Sequence, residues 1–437
     1  MPKAPPVGRL AWQGEGLRVE VDGLSWRDAR WRWRPHPGAW IGVELDAPKA
    51  REVRVTTTPK PPSTEPARAP EALRLPVAAT LRGLDVGALR LNEQPPLTGL
   101  RADVEIGAEQ GAAHRIERFT VTREGVVAQA DLRVGSAAPL TVGGGFSVAA
   151  APGASPSWQA RGRLGGTLER LHVVADAQEA SGAQAGVDAT LAPFAAWPLV
   201  ALAANVSGID LAALSPALPS TRLSGRATME GGASASATVL AIDAANDAPG
   251  SWDAGRLPVR TIEARLRGLP GQPDGVTFER ASAVLAGPGD AGTLQASGRW
   301  QGDTLSIDAA LAGVRPRALD ARAPAMVLEG PVKLSLRGLA AAGATPAPPA
   351  PAPLAGEATL ALTGRLAAPR ATPVSVASQA QFERAADGTL RLVLRQLEAR
   401  AAEARATTSL DATRASRCAS TPPCGGRRST RVHAAVC

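Results

Sequence analysis

The strict alternation of apolar and polar residues along this chain constrains its fold more than any other feature. Between residues 17 and 21, for example, apolar side chains alternate with Arg18 and Glu20. Because successive side chains of a strand point to opposite faces of a sheet, this period of two predicts strands with one apolar and one polar face. The same alternation recurs in Leu73–Leu81, Leu100–Ile106, Ala128–Val134, Trp158–Leu164, Ile262–Leu266, Leu294–Trp300, Leu305–Leu311, Val332–Leu336, Ala358–Leu366 and Leu390–Leu394.

The number of such segments predicts an all-β fold. We expect a long, curled, antiparallel-rich sheet that forms a trough, with repeat-like or solenoid-like character and very little helix. Weak internal similarity supports a repeating architecture, since a Gly-Arg pair recurs inside predicted strands at Gly162, Gly225, Gly298 and Gly364. Each of these glycines falls on the apolar face, where it permits a bend or the close approach of a neighbouring group.

Composition divides the chain into strand-rich regions and breaks. The one candidate helix is 210–215, with Ser207 or Asp210 as its N-cap. Proline-rich stretches predict linkers or loops. The predicted regions are Trp/Arg-rich strands or a cap (1–55), a linker or loop (56–72), a repetitive β-trough (73–340), a Pro/Ala linker (341–356), continuing strands (357–413) and a disordered tail (414–437), for which an out-of-frame origin is one interpretation.

The basic composition does not indicate a nucleic-acid partner. The net charge is +8, but Arg mixes with Asp and Glu on the predicted polar faces, and five Arg lie after Asp411. Nucleic-acid binding requires a basic stripe or a recognisable module, commonly with stacking aromatic residues. We therefore expect no nucleic-acid partner.

No arrangement of residues in the sequence indicates an enzyme. The four histidines are scattered without metal-ligand spacing, and all three cysteines lie in the last twenty residues. There is no nucleophile elbow and no phosphate-binding loop that ends in Lys. The run 143–145 of three glycines predicts a turn. We expect no catalytic residue, no metal and no cofactor.

The apolar faces of the predicted strands must meet something other than water. A second sheet, a layer of helices or curling around a ligand would cover them, and helices are too few. Periodicity alone leaves two alternatives open, a packed sandwich core and a trough lined for lipid acyl chains. The candidate lining residues of such a groove are Leu100, Val104, Ile106, Phe119, Val121, Leu132, Val134, Leu164, Leu223, Leu305, Ile307, Leu360 and Leu362.

The opening 55 residues combine Trp with Arg. Trp31 and Trp33 alternate with Arg30 and Arg32, and Trp40 follows closely. One interpretation is an end cap, in which Trp31 and Trp33 close the apolar face. The other is a membrane-interface element, because aromatic and cationic side chains suit lipid headgroups.

Several segments resemble the TamB family of AsmA-like envelope proteins. They are Pro193–Pro198, Ile209–Leu214, Thr221–Gly225 and the opening stretch from Gly16 to Trp33. The resemblance covers most of residues 8–413. It implies an inner-membrane anchor, a long periplasmic β-structure bent into a trough, and a C-terminal domain that engages an outer-membrane β-barrel partner.

The function implied by the resemblance is phospholipid transport between the membranes and assistance to outer-membrane protein assembly and secretion. Because the sequence lacks the apolar segment of a signal peptide or anchor, and lacks the C-terminal domain, we expect an internal piece of a longer TamB-like protein. The alternatives are an extracellular β-solenoid or adhesin-type structural protein and a truncated remnant without function.

Overall fold

The computed structural model describes residues 7–436 except 15, 58–67, 93, 196, 215–217, 232–234, 270–271, 273, 340–353, 367–371, 385–389, 402–403 and 415–428. Strands make up 73% and helices 5% of the described residues, so the predicted all-β fold is confirmed, while the trough stays a prediction. The chain forms two compact units, Met1–Ala204 and Asn205–Cys437. Both units therefore receive residues from the predicted region 73–340.

The first unit is built from strands whose apolar and polar residues alternate, which suits a sheet with two unlike faces. Its strands are β1 (Val7–Gly14), β2 (Leu17–Leu24), β3 (Asp28–His36), β4 (Ala39–Asp46), β5 (Lys49–Thr57), β6 (Val77–Leu91), β7 (Leu97–Gly107), β8 (Ala113–Arg123), β9 (Val126–Gly135), β10 (Val142–Ala150), β11 (Trp158–Thr167), β12 (Arg170–Glu179) and β13 (Gln184–Leu191).

The long strand β6 organises the first unit. On one side it begins an antiparallel meander in which each of β6 to β13 pairs with the next strand in sequence. On its other side it pairs in parallel with β4 through its first half and with β5 through its second half. Strand β4 continues antiparallel to β3, and β5 continues to β2 and β1. We call β1, β2 and β5 the N-terminal branch.

A bulge divides β6 at the point where its partners change. Leu81 pairs with Val104 of β7, but Leu84 pairs with Ala102, so β6 contains one extra residue there. Gly83 supplies the positive φ of 66° that this bulge requires. Because the side-chain period is two, one extra residue moves the following side chains to the other face of the sheet.

The second unit continues with another antiparallel meander, in which consecutive strands pair from β15 to β26. Its strands, with β14 crossing the boundary between the units, are β14 (Leu199–Ile209), β15 (Leu223–Glu230), β16 (Val239–Asn246), β17 (Val259–Gly268), β18 (Val276–Ala286), β19 (Asp290–Gln301), β20 (Thr304–Val314), β21 (Met326–Arg337), β22 (Leu354–Leu366), β23 (Thr372–Arg384), β24 (Leu390–Ala401), β25 (Ala404–Arg414) and β26 (Ser429–Val436).

Two local predictions differ from the structure. The glycine run 143–145, predicted as a turn, lies inside β10 and pairs with both β9 and β11. Antiparallel partners on both sides hold these residues extended, which overrides their turn propensity. In the tail, Ser429–Val436 forms a strand against β25 where the sequence predicts disorder. All three cysteines lie outside the described residues.

In the part of the chain that the structure describes, helix is confined to α1 (Ala108–Gly111), α2 (Leu211–Leu214) and α3 (Pro316–Leu319), with 3-10 turns at Ala235–Ala237 and Trp252–Ala254. Helix α2 matches the predicted short helix, and Asp210 caps it by accepting a hydrogen bond from the Ala212 N–H at 3.1 Å. Among the described residues, no helix has the length and apolar character needed to cross a bilayer.

Candidate functional site

In the first unit, the register of the meander brings all eight candidate lining residues of that unit to one side of the sheet. Paired residues in neighbouring strands point to the same side, so a row of side chains can be followed from strand to strand. Leu100 shares this side with Val104, and Phe119 and Val121 join it through their partners Ala130 and Ala128 in β9. We call this side the lining face. Its central row, from β6 to β13, is Leu81, Val104, Ile116, Leu132, Gly144, Leu164, Val173 and Ala189.

In the second unit, the other five candidates also share one side of their sheet, which we call the lining face of that unit. Leu305 pairs with Trp300 and Leu336, while Leu360 pairs with Val332. Leu223 lies on the same side as Met229, at the far end of β15. The row from β15 to β24 is Met229, Leu240, Leu266, Phe278, Gly298, Ile307, Leu334, Ala358, Ala380 and Leu394.

The candidate lining residues are only partly covered. Val121 and Leu362 are 7% and 8% exposed, and the other eleven candidates are half-buried. In a packed sandwich core the inward-facing side chains of both sheets interdigitate and lose nearly all contact with water. The lining face therefore retains apolar surface that the described residues do not cover.

The total accessible surface area of the chain also indicates limited burial. The accessible area of the chain is 27,929 Å². A compact monomer of 44.6 kDa exposes about 15,600 Å² on the usual scaling of area with mass. An area about 1.8 times this value agrees with the small number of fully buried side chains among the described residues.

Full burial is concentrated at the ends of strands. Ala113 begins β8, Ala286 ends β18 and Ala291 is the second residue of β19, and each is 0% exposed. Within the described part of the chain, Pro48 is the largest side chain that is fully buried. Small residues and loops thus pack at many strand ends, while most of the candidate lining residues within the strands stay half-open.

The recurring glycines on this face are set close to neighbouring strands, as the sequence predicts. A Cβ at Gly162 would stand 2.5 Å from Phe146 Cζ and 2.7 Å from the Val174 carbonyl oxygen. A Cβ at Gly225, Gly298 or Gly364 would likewise collide with the backbone of the adjacent strand. These positions exclude a side chain, so they keep the lining face low and smooth.

The opposite side of the first unit is polar and solvated. A depression of about 650 Å³ lies over Gly145, and its rim includes Asp131, Arg161, Arg163 and Asp176. All four charged side chains are exposed. The gap exists because Gly145 has no side chain, and a Cβ there would meet only the Gly162 carbonyl oxygen at 3.8 Å. A depression with exposed charges of both signs is typical of a solvated surface.

The lining side becomes charged in the N-terminal branch. Beyond the β6 bulge, the register places Glu52 of β5 and Glu20 of β2 on that side. Glu20 is only 7% exposed and lies 3.0 Å from an Arg9 nitrogen and 2.5 Å from an Arg18 nitrogen. The hydrogen bond from Arg9 is the main reason that the pKa of Glu20 lies below its usual value, and the bond from Arg18 adds to it. Towards the N-terminal branch, the apolar row therefore ends at β6, whereas through β4 it continues to β3.

Sequence reasoning missed part of the lining face, and it left two interpretations of the N-terminal tryptophans open. Ile116, Val173 and Leu266 lie in the central rows beside predicted members. The strict alternation along β12 could have identified Val173 as a member of the lining face. Trp31 and Trp33 lie at the β3 end of the face but are 72% and 70% exposed, so they do not close it as an end cap would.

No group of three or more potential metal-ligating side chains occurs among the residues that the structure describes. No family model, curated protein or solved structure matches the chain.

Proposed function

We propose that this chain shields phospholipid acyl chains along the lining face. The observation that carries the proposal is the half-open apolar row in each unit, which joins Val104, Leu132 and Leu164 in the first and Ile307 and Leu334 in the second. A hydrocarbon surface of this kind is stabilised by any apolar ligand that excludes water from it.

The size of the rows suits acyl chains. Strands lie about 4.8 Å apart, so the row from β6 to β13 is roughly 34 Å long and the row from β15 to β24 roughly 43 Å. Each leaflet of a bilayer contributes about 15 Å of hydrocarbon thickness. Each row therefore offers room for at least two acyl chains end to end.

The energetic benefit of such a surface is large. Transfer of about 14 methylenes from water at about 0.8 kcal/mol each amounts to roughly 11 kcal/mol for one acyl chain. A continuous apolar path removes most of this barrier to movement between membranes. Aliphatic and glycine positions such as Gly144 and Gly298 give the path a low relief that does not fix a lipid in one place.

The strand pairing favours this function over the solenoid alternative. Consecutive strands pair antiparallel from β6 to β13 and from β15 to β26. A β-helix solenoid instead stacks its strands in parallel between successive coils. The antiparallel meander agrees with the β-structure that the resemblance to the TamB family implies. By that resemblance, the lipid would pass between the inner and outer membranes of a bacterial envelope.

Native mass spectrometry of the purified chain tests the proposal. We expect phospholipid masses bound to the wild-type protein, and their loss in Val173→Asp, which places a carboxylate on the lining face. Val174→Asp is the matched control, because Val174 is the next residue of β12, faces the polar side and is 40% exposed. A lipid-free wild-type protein, or equal lipid loss in both variants, would contradict the proposal.

A further inference from the structure

The N-terminal end of the lining face carries a patch of exposed apolar side chains that packing does not explain. Trp31 and Trp33 of β3 pair with Val43 and Ile41 of β4, and Ile41 pairs with Val77 of β6. We call Trp31, Trp33, Ile41 and Val77 the tryptophan patch. Their exposed fractions are 72%, 70%, 36% and 43%.

The tryptophan patch is large for a surface feature of one chain. Two Trp side chains exposed to this degree present roughly 300 Å² of largely apolar area. Contiguous patches of this size on a monomer commonly mark an interaction site. The patch lies on strand β3, whose second edge has no strand partner within the described residues. It is thus accessible both from its face and from its edge.

The arginines of β3 face the side opposite the patch, and one of them has no acidic partner among the described residues. Arg30 and Arg32, on the other side of β3, are paired with Asp28 at 3.0 Å and Glu44 at 2.7 Å. Arg34, at the end of the same strand, faces the same way as Arg30 and Arg32 and lies 5.9 Å from the centroid of the exposed Trp40 ring.

Arg74 is a second arginine without an acidic partner among the described residues. It is exposed and borders a depression of about 580 Å³ that also contains Leu75 and Val77. Neither Arg34 nor Arg74 forms an ion pair with an acidic residue in the described part of the chain. One uncompensated arginine, Arg74, therefore borders the patch itself, and a second, Arg34, lies at the end of the strand that carries Trp31 and Trp33.

From these observations we infer that the tryptophan patch docks onto the surface of a bilayer that contains anionic phospholipid. Trp is the side chain best suited to the boundary between headgroups and acyl chains, and Arg binds phosphate with its planar fork of donors. Because the patch continues into the lining face, docking would place the end of the apolar row against the acyl region. In that respect the inference rests on the proposed function and names where lipid enters or leaves the row.

Vesicle sedimentation of the full chain tests docking separately from lipid shielding. We expect binding to vesicles of phosphatidylethanolamine and phosphatidylglycerol, weaker binding to phosphatidylcholine vesicles, and weakening by salt. The double variant Trp31→Thr/Trp33→Thr should reduce partitioning at least tenfold while Thr maintains the strand propensity of β3. Trp252→Thr is the matched control, because Trp252 is 56% exposed in the second unit and outside the patch.

Unchanged partitioning of the double variant, or no binding of the wild-type protein to either vesicle, would overturn the inference. The inference would also be overturned if the double variant lost self-association in sedimentation velocity but kept vesicle binding. That result would assign the patch to contact with a second protein chain. If the double variant does not fold, quenching of wild-type Trp fluorescence by vesicles with brominated acyl chains tests the same contact, and absence of quenching would overturn it. Bound lipid in native mass spectra together with absent vesicle binding would leave the proposed function standing without the docking surface.

Discussion

The meander from β7 to β13 and the N-terminal branch share a sheet but present opposite chemistry on the same side. In the meander that side carries Val104, Leu132 and Leu164. In the branch it carries Glu20 and Glu52 with their arginine partners. The sequence alternates equally well in both regions. The comparison teaches that a single extra residue in β6 determines where an apolar path along a sheet ends.

The largest effect that we expect from a substitution is on phospholipid retention, which should differ between the lining face and the branch. Val104→Asp and Leu132→Asp place a carboxylate on the lining face, where contact with hydrocarbon would leave the charge without water. We expect each to abolish phospholipid retention in native mass spectra. Val53→Asp introduces the same charge in β5 of the branch, outside the apolar row, and should retain lipid. Because Val53 faces the side opposite the lining face, equal loss in Val53→Asp and Val104→Asp would show that lipid retention does not depend on the lining face.

A second prediction compares two glycines of the same strand, β11. Gly162→Ala puts a Cβ into Phe146 and the Val174 backbone, so we expect it to destabilise the protein by about 1–3 kcal/mol. Gly165→Ala meets no atom within 4 Å, and its effect should stay within about 1 kcal/mol or be stabilising. Urea denaturation followed by circular dichroism measures both values. Similar destabilisation by the two substitutions would argue against the close strand contact at Gly162.

The smallest expected effect concerns the charges of the branch. The pKa of Glu20 is lowered by its arginine partners, so its contribution to stability is present above the unfolded value of 4.5 and is lost as the pH falls through the folded pKa. We expect wild type to be more stable than Glu20→Gln at pH 7 and the difference to shrink below pH 4.5. Urea midpoints of both proteins between pH 7 and pH 3 measure this difference. A difference that does not change with pH would contradict the arrangement around Glu20.

The alternation of residues was enough to predict most strands and the side on which each candidate lies. Leu305 and Ile307, for example, share a side of β20 because they are two residues apart, and the register of β19 and β21 keeps them together. The short helix after Asp210 was also predictable from its cap. Such features depend on neighbouring residues in the sequence, so local patterns can reveal them.

The sequence could not predict features that depend on pairing between distant segments. The parallel pairing of β4 and β5 with β6 joins residues 36 apart in sequence, such as Val43 with Ala79. The bulge at Gly83 depends on the register against β7 rather than on a local motif. The glycine run 143–145 looked like a turn because its strand identity comes from partners on both sides. Long-range pairing overrides local propensity in each case.

Photo-crosslinking at two adjacent positions of β9 tests the central claim most directly. Leu132 faces the lining side and Arg133 the polar side, where Arg133 pairs with Glu109. With a photoreactive residue at each position in turn, we predict phospholipid adducts from position 132 and none from position 133. Adducts from position 132 to another strand of the same chain, without lipid, would show that protein covers the face and would contradict the account.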